Sequence, residues 1–391
     1  MRRGRCGRNS SPRPAAACRP IMSAAAIAAA CPNRPEKDRD VGGETSGNFL
    51  RNAWYMFAWG EEVADAPLGR TIAGEELVCF RGKDGLVVLA DRCPHRFVPL
   101  SLGSVADGVL ECAYHGLRFG SDGRCMFNPL GDPPERAVVR SYPVVERDRV
   151  IWVWTGDPAL ADPDGIADFS FLADPARATV TGYAHVRADY QLAIDNLSDL
   201  THVQFVHRDY QASEAYHRLV DDTWQDGDVV HRSITFPNGR PAPFLQSFLG
   251  PDKLIDFTME TRWTLPSNIK LSATVTEPGA PDQYLIGNHS AHLVTPEADG
   301  SCHYFYAHSR DYGVGDPEAD EKIREWQRVG FGEQDKPVLE AQQRRVGHRD
   351  IMELRPVILP TDAGGVRARR ILAQRIARER KGAMLEAVGD Q

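Results

Sequence analysis

The chain has 391 residues, 42 % of them hydrophobic and 26 % charged, and a formal net charge of −8. This is the balance of a soluble globular protein of about two domains, with no basic footprint for nucleic acid. No run of about 18 apolar residues is present to span a membrane, and eight cysteines in a chain this long do not form a disulfide scaffold.

Residues 1–50 read as a disordered tail or a misplaced start. Residues 1–35 hold seven arginines and no acid, with alanine runs at 15–17 and 24–26. Such a segment cannot build a core. A targeting peptide is the weaker reading, because the apolar patch 21–30 is short and far from Arg2-Arg3. Cys6, Cys18, Cys31, Cys79, Cys125 and Cys302 show no paired spacing and read as free thiols of a cytoplasmic protein.

From 51 to 158 the text is short apolar runs broken by turns, which predicts a small β-rich domain. Strands are expected at 76–80, 86–90 and 150–154. The turn Arg81-Gly82-Lys83-Asp84-Gly85 should close the first two into a hairpin. Residues 156–165 are rich in Gly, Asp and Pro and read as a linker. A second domain is expected over 166–385. It reads helical at 189–207, strand-like near 229–236, 255–263, 269–276 and 302–308, and helical again at 320–330 and 366–381. The class is α+β.

Two ligand clusters carry the chemistry. Cys93-Pro94-His95 is followed after sixteen residues by Cys112-Ala113-Tyr114-His115. One Cys and one His from each of two loops is the arrangement of a Rieske [2Fe–2S] cluster. A structural zinc site would pair like ligands, C-x2–4-C and H-x3–5-H. Gly103, Gly108 and Gly116 are expected to let backbone crowd the sulfurs.

The second cluster is Asn196, Asp199, His202 and His207. The first three fall along one helical face. His202 and His207 are five residues apart, about 140° around an ideal helix, so they share a metal only if the helix bends or ends between them. Two His and a carboxylate suit a mononuclear non-heme Fe(II). Glu333, Asp335 and Glu340 all offer that carboxylate, and spacing does not separate them. Asp199 is placed to orient the His202 imidazole.

These residues make the chain similar to the Rieske non-heme iron oxygenases. Cys93-Pro94-His95-Arg96, Tyr114-His115-Gly116-Leu117 and 195–202 carry that resemblance. With His292-Leu293-Val294-Thr295-Pro296-Glu297 and 362–366, it looks most like aromatic O-demethylase oxygenase subunits of the vanillate and dicamba type. The resemblance implies a Rieske domain followed by a helix-grip catalytic domain, with Asp335 as the third iron ligand. It implies a head-to-tail homotrimer in which His115 faces the partner subunit's His202 across Asp199. Asn196 would lie near the iron without binding it, and His292 and Trp326 would line the substrate pocket. Leu271 stands where the dicamba-type enzyme has a polar group. His289 and Phe244 are expected to form an aromatic slot.

The implied activity is that of a monooxygenase of aromatic catabolism: O2-dependent hydroxylation of a methyl group, with O-demethylation of a methoxybenzoate-like compound and loss of formaldehyde. N-demethylation, aryl-methyl hydroxylation and ring hydroxylation are alternatives on the same scaffold, and a Rieske electron carrier is a remote one. Electrons would come from an NAD(P)H-dependent flavin/[2Fe–2S] reductase, directly or through a ferredoxin. The chain has no G-x-G-x-x-G after a strand to bind the nicotinamide itself.

Overall fold

The computed structural model describes residues 49–211 and 214–389. The expected tail lies outside them, except for its last two residues. Among the described residues no helix is long and apolar enough to cross a membrane.

The first half is built of β-strands. β1 (Trp54–Trp59) is buried along its whole length. β2 (Leu68–Ile72), β3 (Glu75–Gly82) and β4 (Gly85–Ala90) form a meander, closed at the edge by β9 (Ser141–Tyr142). The expected hairpin is there: Gly82 pairs with Gly85 across the two-residue turn Lys83-Asp84. β5 (Ser104–Ala106), β6 (Val109–Glu111), β7 (Arg118–Phe119) and β8 (Cys125–Phe127) make a second small sheet. β10 (Val144–Arg147) and β11 (Val150–Trp154) return to pair with β1. The linker segment folds back on this domain. Its two 3-10 turns are capped by the Asp157 and Asp162 side chains, and Trp54 Nε1–H donates to the Asp162 carbonyl at 2.8 Å.

The second half is one seven-stranded antiparallel sheet in the order β12-β18-β17-β16-β15-β14-β13. Its strands are β12 (Ala178–Val186), β13 (Val220–Asp226), β14 (Val229–Gly239), β15 (Ile255–Thr264), β16 (Asn268–Glu277), β17 (Ala280–Ala298) and β18 (Ser301–Arg310). Helices α1 (Tyr190–Ser198), α2 (Pro243–Leu249), α3 (Pro317–Gln327), α4 (Lys336–Val346) and α5 (Ala363–Gly389) accompany the sheet. This is the α+β helix-grip plan. Tyr190, Ala193 and Leu197 of α1 and Ala368, Ile371 and Leu372 of α5 share one core with Val230, Trp263 and Ile269 of the sheet.

Strands β12, β13 and β17 differ from the sequence reading. β17 is 19 residues long, yet Pro281, Gly287 and Pro296 interrupt its pattern. Proline belongs at strand starts and irregularities, and the register with β18 shifts between Pro296 and Ala298.

The opposite face of the sheet meets the Rieske half. Ala291 and Leu293 of β17, with Phe305 and Ala307 of β18, pack against Trp54, Trp152 and Trp154 in a continuous apolar seam. Each large side chain buried there contributes about 1.5–3 kcal/mol. Two polar ties fasten α5. The Glu379 carboxylate accepts from the Arg51 and Asn52 amides at 2.7 and 2.6 Å. The Arg369 guanidinium forks onto Asp195 of α1 at 2.9 and 2.6 Å.

Three buried histidines make the fold acid-labile. Burial pushes His292 and His303 down to about 4 and His308 down to about 3. Between those values and about 6.5 the unfolded chain binds protons that the folded chain refuses, so stability falls as pH falls. At pH 5 each of the three costs about 2 kcal/mol. The urea midpoint is expected to drop sharply from pH 7 to pH 5, with His303→Gln showing a shallower drop. A flat profile would contradict the assignment.

Candidate metal centres and substrate pocket

The two Cys-His loops are copies of one turn. The Cys93 amide donates to Val98 O at 2.9 Å and the Phe97 amide to Cys93 O at 2.8 Å; the Cys112 amide donates to Leu117 O at 2.8 Å and the Gly116 amide to Cys112 O at 3.0 Å. The fourth residue after each Cys is left-handed, Phe97 at φ 59° and Gly116 at φ 69°. Glycine adopts this freely; a phenylalanine there is strained, and Arg92 lies over its ring at 5.4 Å. Gly103 lets the loops close, because a Cβ there would come within 2.0 Å of the Glu111 carbonyl. Gly108 differs from expectation. It abuts Lys83 of the β3–β4 turn rather than the sulfurs.

Cys93 and Cys112 are buried. His95 and His115 are exposed, with ring centroids 4.6 Å apart. A small cavity lies among the four side chains. Buried thiols on one side and surface imidazoles on the other fit a cluster whose two irons have different ligands.

The second centre depends on a broken helix. Asp189 caps the start of α1, accepting from the Gln191 amide at 2.8 Å. Asp199 ends it with an extended backbone, φ −110° and ψ 94°. The same side chain then caps the next turn by accepting from the Thr201 amide at 3.0 Å. A 3-10 turn (Leu200–His202) and one α-turn (Val203–Val206) follow, and His207 lies just past helical geometry. The break lets both imidazoles converge, their centroids 5.3 Å apart.

The carboxylate arrives by a second irregularity. Residues Arg328–Asp335 form a wide π-type turn between α3 and α4. Such turns recur at functional sites. Here it delivers Asp335, 3 % exposed, to the two histidines. Asp335 Oδ1 lies 3.6 Å from His202 Nε2, and Oδ2 lies 3.2 Å from His207 Nε2. The three ligand atoms fall within 4.8 Å of one another. Donors bound to one ion at about 2.1 Å stand roughly 3 Å apart, so the set fits a metal with little movement. Glu333 instead pairs with Arg328, and Glu340 with Arg187.

Each imidazole is oriented from behind. His202 Nδ1 meets the Asp199 backbone carbonyl at 2.5 Å, and His207 Nδ1 meets Gln334 Oε1 at 2.8 Å. Both Nδ1 atoms must be donors, so both Nε2 lone pairs face Asp335. The carboxylate of Asp199, expected on His202, is turned elsewhere. It accepts from Thr201 Oγ1 at 2.7 Å and from Arg232 at 3.0 Å. Burial pushes its pKa up, but these hydrogen bonds overcome burial and hold it below the usual carboxylate range. Arg232 is 2 % exposed and also forks onto Asp221 at 2.9 and 2.8 Å. Asn196 Nδ2 reaches Asp335 Oδ1 at 3.5 Å.

Beside the triad opens a cleft. Phe244, Phe257, Trp326 and Phe331 supply aromatic walls. Phe244 comes from α2 and stacks on Trp326 at 6.0 Å. His292 lines the cleft, its Nδ1 2.7 Å from Tyr304 Oη. Trp326 Nε1 is buried without a partner among the described residues. His289 differs from expectation. It points to the other sheet face, where it packs on Phe171 and bonds Ser272 at 2.9 Å. Asn288, Ser290, His308 and Arg232 escaped the sequence reading. The signal was a polar residue in the buried phase of an alternating strand, as in Val230-x-Arg232-x-Ile234-x-Phe236.

Fold and centres together define a terminal oxygenase that feeds a mononuclear iron from a Rieske cluster. Residues 53–143 match the Rieske [2Fe-2S] domain family, and residues 186–378 match the vanillate O-demethylase oxygenase C-terminal domain family. The dicamba O-demethylase oxygenase component of Stenotrophomonas maltophilia is 43 % identical over 326 residues, 82 % of this chain and 96 % of that protein. The chloroacetanilide N-alkylformylase oxygenase component of Rhizorhabdus wittichii is 38 % identical over 337 residues, 85 % of this chain and 97 % of that one. The crystal structure of dicamba monooxygenase bound to dicamba superposes with a TM-score of 0.81 at 41 % identity, covering 85 % of this chain and 99 % of the other. The chain belongs to the vanillate/dicamba O-demethylase branch of the Rieske non-heme iron oxygenases. It is a monooxygenase component whose cofactors are a Rieske [2Fe–2S] cluster and a mononuclear non-heme iron.

Proposed function

We propose that this chain oxidatively demethylates a single-ring aromatic methyl ether bearing a carboxylate, a methoxybenzoate-like compound, and releases formaldehyde. The observation that carries this is an aromatic cleft opening directly on His202, His207 and Asp335, with a buried N–H on Trp326 that has no partner among the described residues. With Tyr304 donating to His292 Nδ1, the His292 Nε2–H also faces the cleft. Two such donors suit a carboxylate and would aim the methyl group at the metal.

Cys93, His95, Cys112 and His115 would hold the cluster; His202, His207 and Asp335 would hold the iron. When bound, the two centres supply one-electron transfer and O2 activation. Overall, the ether, O2, two electrons and two protons give the hydroxymethyl ether and water; that product collapses to the phenol and formaldehyde. Phe244, Phe257 and Phe331 exclude water from the cleft, and Asn196 steadies Asp335 Oδ1.

The working unit is a Rieske domain at 51–158 and a catalytic domain at 166–385, assembled as a head-to-tail homotrimer. Exposed Phe97, Tyr114 and Leu130 on the Rieske half, and exposed Phe205, between His202 and His207 in the chain, support apolar contact between copies. Asp199 then bridges His202 to the partner subunit's His115. Electrons come from an NAD(P)H-dependent flavin/[2Fe–2S] reductase, with or without a ferredoxin. The described cysteines form no disulfide, which suits the cytoplasm. A second reading, removal of an N-methyl group, draws on the cleft's lining, which among the described residues includes no Lys or Arg.

Reconstituted holoenzyme with a reductase and NADH is expected to release formaldehyde from a methoxybenzoate in step with NADH and O2 consumption. NADH oxidation yielding only peroxide across the panel would reject O-demethylation and direct attention to N-methyl and aryl-methyl compounds.

A further inference from the structure

The inner face of β17 carries a polar stripe of which the reaction described above uses only His292. Asn288, Ser290 and His292 alternate along one strand and so point to one face. His308 of β18 sits directly opposite Ser290 in register. All four are buried and all line the cleft. Their neighbours across the next strand pair are Leu271 and Ala273, which are apolar. Burying polar groups where apolar ones would pack costs stability unless they find partners.

The partners they have are poor. Asn288 Nδ2 donates to Ser290 Oγ at 3.3 Å, Ser290 Oγ meets His308 Nδ1 at 3.3 Å, and His308 Nε2 meets Tyr312 Oη at 3.5 Å. Good bonds of these types are about 2.7–3.0 Å long. The only side-chain hydrogen bond printed for Asn288 is this long one through its Nδ2. Buried polar groups are normally well bonded, so this stripe has capacity for one more group.

Spacing says what kind of group. Ser290 is two residues from His292, about 6.8 Å along a strand. That is the span between the two substituents of a 1,4-disubstituted benzene. A carboxylate at His292 and Trp326 would therefore bring the substituent across the ring to Ser290 and His308. None of these side chains carries a fixed charge, so the matching substituent is neutral.

We infer that Ser290 and His308, backed by Asn288, are specificity-determining residues that bind a neutral hydrogen-bonding substituent para to the substrate carboxylate, a phenolic hydroxyl being the smallest. This rests on the function proposed above, but binding tests it separately. Iron-loaded holoenzyme is titrated calorimetrically with 4-hydroxy-3-methoxybenzoate and with 3-methoxybenzoate, which differ by one hydroxyl. Wild type is expected to bind the hydroxylated acid about tenfold more tightly, the worth of one good hydrogen bond. Ser290→Ala and His308→Leu are each expected to bring that ratio within about twofold by weakening the hydroxylated acid alone. Equal binding by wild type, binding of neither acid, or a ratio that survives in both variants would overturn the assignment. Formaldehyde is measured in parallel. The expected ratios without formaldehyde from either acid would sink O-demethylation and leave the assignment standing.

Discussion

Replacing Asp335 with alanine is expected to empty the mononuclear site and abolish turnover while the Rieske spectrum is unchanged. Asp335 is the only carboxylate among the described residues that joins two histidines within ligand distance of one another. Its two oxygens face two different imidazoles at 3.6 and 3.2 Å. Both imidazoles are locked from behind, by Asp199 O and by Gln334, so neither can swing to compensate. Turnover should fall about 10³-fold or more, as when a catalytic unit loses one member. Iron analysis should give the cluster's two irons per chain without the third. Glu333→Gln is the control. That residue is exposed on Arg328 and its loss should change the rate by less than about twofold. A fully active Asp335→Ala enzyme, or an inactive Glu333→Gln enzyme with depleted iron, would move the ligand assignment to Glu333.

Asp199→Asn is expected to retain both metals and lose multiple turnover. The substitution keeps the backbone carbonyl that holds His202 and the side-chain oxygen that caps Thr201. It removes the charge that faces Arg232 at 3.0 Å. If Asp199 links the partner subunit's His115 to His202, the cluster remains reducible and the iron remains bound, but repeated electron delivery fails. Rates should drop about 100-fold, the upper range for partners of metal ligands. Asp221→Asn separates this role from mere support of Arg232. Both acids share that guanidinium, so either change should cost about 1–3 kcal/mol of stability, but only the Asp199 change should stop turnover. Equal turnover losses in the two variants, or normal multiple turnover in Asp199→Asn, would remove the bridging role.

The centres were legible in the sequence because ligand chemistry leaves few alternatives. Cys-x-His and Cys-x-x-His are short local patterns, and each sits where a strand gives way to a loop. The demand that the helix break between His202 and His207 was also readable, because it follows from 100° per residue. The agent of the break was harder to see. Asp199 acts through backbone geometry as well as its carboxylate, and its extended conformation shows only in three dimensions. The resemblance pointed to Asp335, but spacing alone could not separate it from Glu333 and Glu340 without the π-type turn, since hydrophobic periodicity carries no trace of one added residue in a helical register. The pocket was the least legible part. β17 hid behind two prolines and a glycine, and with it went the alternation that puts Asn288, Ser290 and His292 on one face.

That alternation has an evolutionary consequence. Even-numbered residues 288–292 of β17 look into the cleft, while Ala291 and Leu293 belong to the tryptophan-lined seam with the Rieske half. One strand thus serves two masters with non-overlapping letters. Substitutions at even positions can retune which molecules enter without disturbing the alignment of the two redox halves. A lineage carrying this strand can change its substrate by point mutation while its wiring is inherited intact.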